Sequence, residues 1–113
     1  ERARMELDIC ELFEIHLTTL ENTVRFLATR DRLWRMPADV GTFTAGIEEL
    51  SAILRAEVAN AGRSLPILER EFRIRPYDAE MVRAKIGQCR YVLEQELPIF
   101  STMVRFHVWN DYP

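Results

Sequence analysis

CELFEIHLTTLENTVRFL, residues 10–27, decides what kind of fold this chain adopts. Cys10, Phe13, Leu17, Leu20, Val24 and Leu27 follow one another three and four residues apart, the repeat of one face of an α-helix. Ile9, Leu12, Ile15, Phe26 and Leu33 broaden that stripe, while Glu11, Glu14, Thr18, Glu21, Asn22, Arg25 and Arg32 fall together on the opposite side. The pattern predicts a long helix from Met5 to about Trp34, its apolar stripe buried on more than one side and its polar face in water. Pro37 ends it, because the residue before a proline resists the helical conformation.

Downstream, Thr42 or Thr44 is placed to cap a second helix in which Phe43, Ile47, Leu50, Leu54 and Val58 repeat at helical spacing, with Gly62 as its stop. Asp78 is placed to cap a last helix with the stripe Val82, Ile86, Cys89, Val92, Leu93 and Leu97, broken or kinked at Pro98. Between them, residues 65–72 read as a short helix with Leu65, Leu68 and Phe72 on one face. The alternative is a short β-ribbon of residues 71–75 with 103–109, since Phe72 and Ile74 alternate with Arg73 and Arg75, and Val104, Phe106 and Val108 with Arg105, His107 and Trp109. The expected fold is mainly α: an antiparallel bundle of three long helices with a short helix or ribbon before the last, in a single domain spanning 1–113. The chain begins at Glu1 without an initiator Met, as a piece of a longer protein would.

Composition narrows the function classes. The sequence has 113 residues, 48% hydrophobic and 29% charged, which is ordinary for a globular domain and too apolar for disorder. The longest uncharged runs span eight residues, 97–104 among them, far below the ~20 that a membrane-spanning helix requires. Cys10 and Cys89 lie far apart without zinc or redox spacing, on apolar stripes where a thiol behaves as a small buried hydrophobe. A cytoplasmic location fits that usage.

The net charge of −3 hides a basic segment: residues 63–90 sum to +3, against −4 for 1–62 and −2 for 91–113. Arg70, Arg73, Arg75, Arg83 and Arg90 with Tyr77 are the candidate anion or single-strand nucleic-acid contacts, the tyrosine as a stacking ring. Glu69, Glu71, Asp78, Glu80 and Glu94 lie among them, so ordinary surface pairing competes with that role. An acidic chain is also a poor duplex binder.

Motifs for catalysis are thin. Phe13 and Val104 stand three residues before His16 and His107, where a di-iron bundle would place glutamates, and the four glycines form no phosphate loop. No cofactor or metal is implied, and no nucleophile with its base stands out. His16 leaves open a sensory or phosphotransfer helical domain. Phe106, Trp109 and Tyr112 gather near the carboxyl end as candidate partner-interface residues. The stripe of the first helix is wider than two neighbours cover, so the leading expectation is a noncatalytic interaction or oligomerisation module, pairing with itself or another protein. Anion or nucleic-acid binding through 63–90 is the alternative.

Overall fold

Helix-forming periodicity dominates the chain, and every described element is helical. The structure, a computed structural model, describes residues 2–35, 39–70 and 78–102. Helix α1 spans Arg2–Trp34, α2 Val40–Arg70 and α3 Asp78–Tyr91. A wide π-helical turn, Val92–Glu96, carries α3 onward into helix through residue 102. Neither ribbon segment, 71–75 or 103–109, lies within the described residues.

Local chemistry explains where α2 departs from expectation. Its cap is Asp39, not Thr42 or Thr44: the Asp39 Oδ1 accepts from the Thr42 backbone N–H at 2.8 Å, and its Oδ2 accepts from the Thr42 hydroxyl at 2.9 Å. Aspartate is among the best N-cap residues, and this one satisfies an amide of the first turn that has no partner inside the helix. Gly62 does not stop α2, and no separate short helix forms at 65–70; the helix runs on past Pro66 to Arg70. An interior glycine and proline together cost about 4 kcal/mol. Burying Ile67 and Leu68 contributes about 3–6 kcal/mol in the other direction, which covers that cost. Ser64 adds a hydrogen bond to the Ala61 carbonyl at 2.6 Å.

Pro98 is also accommodated without a break. Proline has no N–H to donate to the carbonyl four residues back and its ring crowds that carbonyl. The Leu97 N–H bonds instead to the Val92 carbonyl, five residues back, so the turn before the proline is widened. Expansion by one residue relieves the crowding and lets the helix continue, with the Thr102 hydroxyl bonding the Pro98 carbonyl at 2.9 Å.

Pairs between elements set the arrangement. Asp8 meets Arg70, Asn60 meets Ile15, Glu57 meets Asn22 and Glu49 meets Arg32, so α1 and α2 run antiparallel along their whole lengths. Glu69 pairs with Arg83 and Glu57 with Lys85, which sets α3 antiparallel to α2. Both outer helices pack on α2 and make no close backbone approach to each other. One apolar cluster lies toward one end, where Leu33, Phe43, Leu50, Leu54 and Leu97 are buried and Phe26, Ile47, Cys89, Val92, Leu93 and Phe100 pack around them, and Ile15, Ile53, Ile67, Leu68 and Ile86 are buried along the rest of the helices. Phe43 and Phe100 contact at 6.1 Å between ring centroids. Gly46 admits α1 closely: a Cβ there would stand 2.4 Å from Leu33 Cδ2 and 2.9 Å from its Cγ.

The molecule is long and thin, 68 × 20 × 14 Å, with a radius of gyration of 18.1 Å. A compact chain of this length has a radius near 13 Å. So thin a body has little interior in which to hide apolar side chains. Among the described residues, no helix is long and apolar enough to cross a membrane.

Candidate interaction surface

Helix α1 turns a mixed polar and apolar face inward. Position by position, the residues toward α2 are Asp8, Leu12, Ile15, Thr19, Asn22, Phe26, Thr29 and Leu33, again three and four apart. Asp8, Asn22 and Thr29 are each 5% exposed or less, although Asn22 belongs by sequence to the solvated face. The stripe expected in the core faces water. Exposure along Phe13, Leu17, Leu20, Val24, Leu27 and Trp34 runs from 41% at Leu27 to 74% at Trp34, and Leu7 and Ile9 extend the surface at its start. Cys10, on the same line, is an exposed free thiol rather than a buried one, and Cys89 is a half-buried free thiol.

Hydrogen bonding explains why polar residues share the inner face. Glu57, buried on α2, accepts from Asn22 Nδ2 at 2.9 Å and from the Thr19 hydroxyl at 2.7 Å, and Lys85 of α3 pairs with its Oε2. One carboxylate therefore ties all three helices. Burial works to raise the Glu57 pKa, but the bonds from Lys85, Asn22 and Thr19 outweigh it and hold the group below the usual glutamate value. Asn60 Nδ2 donates to the Ile15 carbonyl at 2.9 Å and to Thr19 Oγ1 at 3.1 Å, leaving its own Oδ1 buried without a partner.

At the far end Asp8 accepts two bonds from Arg70, at 2.6 and 3.1 Å, with Arg4 at 3.9 Å. Those Arg70 hydrogen bonds lower the Asp8 pKa against the opposing effect of burial, with the charges of Arg70 and Arg4 adding to the shift. Such a network fixes which face of α1 meets α2, because any rotation of the helix strands these groups in apolar surroundings.

The basic segment divides. Arg70 is held by Asp8 and Arg83 by Glu69, each guanidinium already against a carboxylate. Arg90 lines a shallow cavity of about 380 Å³ with Arg55, Val58, Leu93 and Glu94. Arg73, Arg75 and Tyr77 lie outside the described residues, as do Phe106, Trp109 and Tyr112. The structure does not bring Arg70, Arg83 and Arg90 together into one site: Arg70 pairs across to α1, while Arg90 lies a whole helix-length of α3 away from its start.

His16 is exposed and borders a groove of about 480 Å³ between α1, α2 and α3, lined also by Ile15, Ser64, Leu68, Met81 and Lys85. Among the described residues, the groove lining includes no cysteine or second histidine. Among the described residues no group of three or more His, Cys, Asp or Glu could hold a metal ion.

Comparison with family models, with curated proteins and with solved structures finds no match to this chain. The most extensive feature that the fold itself leaves unexplained is the apolar face of α1. Sequence reading found its residues but assigned them to the core, and it missed the inner network. The signal for that network was present: Asp8, Ile15, Asn22 and Thr29 recur every seven residues, in step with Leu12, Thr19, Phe26 and Leu33.

Proposed function

We propose that the chain is a noncatalytic interaction module whose binding surface is the outward face of α1. One observation carries this: a row of large apolar side chains, unbroken from Phe13 to Leu27 and resumed at Trp34, stands in water on a helix whose other side is locked to α2. Single exposed leucines are ordinary on a protein surface, but contiguous apolar patches mark sites where a partner excludes water. The thin, open arrangement of α1 and α3 about α2 fits a bundle completed across a partner.

Light scattering at rising protein concentration tests the proposal, with the Phe13→Ser/Leu20→Ser/Val24→Ser variant beside the natural chain. The natural chain is expected to associate, and the variant to stay monomeric with unchanged helical circular dichroism. A variant that loses its helical signal even when dilute would mean that these residues support the fold itself, and the proposal would fail.

A further inference from the structure

The outward row of α1 is more regular than a patch. Cys10, Leu17, Val24 and Asp31 alternate with Phe13, Leu20, Leu27 and Trp34 in a repeat of three and four residues, the a and d positions of a heptad. A seam of this kind takes a matching helix, and α1 supplies that match itself. We infer that the occupant of the face is a second copy of this chain, with two α1 helices packed antiparallel along their seams. The proposal rests on the interaction-surface reading above and names its partner.

Area supports the pairing. At their observed exposures, the side chains from Phe13 to Trp34 present roughly 700 Å² of apolar surface per chain, near the ~800 Å² that each partner contributes to a standard stable interface. The row also runs most of the length of α1, so a second α1 covers it end to end. Asp31 is the one charged residue between Cys10 and Trp34 in the seam, and Arg30 pairs with it at 3.3 Å.

Charge sets the direction. Residues 2–17 carry a net −2 and residues 18–35 a net +2. Parallel packing sets like against like, while antiparallel packing sets the acidic half of each helix against the basic half of the other. Opposed helix dipoles favour the same direction. Two registers keep apolar layers throughout the centre: one matches Leu20 with Val24 and Leu17 with Leu27, and the other, a heptad over, matches Leu17 with Leu20 and Phe13 with Val24.

The test is a spin-label distance at one end of the seam, using Arg35→Cys in a chain whose Cys10 and Cys89 are replaced by alanine, with mass measured by light scattering. A dimer with labels separated by about 40–50 Å, the axial offset that a rise of 1.5 Å per residue gives for the two registers, is the expected result. Labels within about 20 Å in a dimer mean parallel helices and overturn the inference. A monomer at all concentrations also overturns it, and maleimide labelling of Val24→Cys then separates the consequences. Rapid labelling of the monomer leaves the face open to another partner, so the interaction-surface reading survives; a protected thiol means the chain covers its own face, and both fall.

Discussion

The two faces of α1 invert the usual expectation. The inner face ties Asp8, Thr19 and Asn22 to α2 through directional bonds, with Ile15 and Leu33 buried beside them, and the outer face carries Phe13, Leu20, Val24 and Trp34 into water. Their contrast separates two uses of a helix. Hydrogen bonds to a buried carboxylate choose a unique neighbour, because leaving any member unpaired is costly. An apolar seam is less selective and gains free energy from whatever excludes water over its length. In this chain the selective face is spent on the fold, and the unselective one is the face we propose for association.

Removing the centre of the inner face should have the largest effect. Glu57→Ala leaves Asn22 and Thr19 without their acceptor and Lys85 without its partner; Lys85 is partly exposed and recovers some hydration. A loss of about 2–4 kcal/mol in urea unfolding is expected, somewhat below the range for breaking a fully buried pair. A loss under about 0.5 kcal/mol, the size typical of surface sites, would show that the network does not hold α1 to α2.

Acid should act on the same face. Asp8 and Glu57 both have folded-state pKa values below their ordinary ones. A depressed carboxylate contributes stability that is present above the unfolded pKa, about 4, and is lost as pH falls through the folded value. Unfolding free energy should therefore decline as pH drops below about 4, and less steeply in Asp8→Asn. Identical acid limbs in Asp8→Asn and the natural chain would remove Asp8 from the linkage.

Two glycines provide an internal comparison. Gly87, exposed on α3, has nothing within 4 Å of a new Cβ, so Gly87→Ala should stabilise by about 0.5–1 kcal/mol through helix propensity alone. Gly46→Ala drives a methyl into buried Leu33, and overpacking costs about 1–3 kcal/mol against the same gain. Chemical denaturation should give the two substitutions opposite signs. Two stabilising results would mean that α1 rides more loosely on α2 than the close approach at Gly46 implies.

The helical character of α1 and of the segment from Asp78 onward follows from periodicity, and the structure agrees with both. The same residues did not reveal which side of α1 faces inward. Hydrophobic spacing locates where water is to be excluded, but it carries no label for whose chain excludes it. Asn22 read as solvated because its acceptor, Glu57, lies more than thirty residues away in sequence and only the fold brings it near. Gly62 was legible as a helix stop, and both it and Pro66 were overridden by burial of Ile67 and Leu68, a tertiary effect that local propensity does not contain. For Arg70 and Arg83, the interspersed carboxylates were a fair sign of pairing, but they did not point to Asp8 on another helix, which Arg70 meets.

The smallest effect is expected on the outer face of a dilute protein: Leu20→Ser, half exposed to begin with, should change monomer stability by no more than about 0.5 kcal/mol. Concentration should make that same face matter. Melting temperature followed from low to high protein concentration, for the natural chain and for Phe13→Ser/Leu20→Ser/Val24→Ser, tests most directly whether α1 folds with one face and associates with the other. The natural chain should melt higher as it is concentrated, while the variant holds one melting temperature equal to that of the dilute natural protein. A variant that melts far below the dilute natural chain, or is unfolded throughout, would contradict this and return the stripe to the chain's own core.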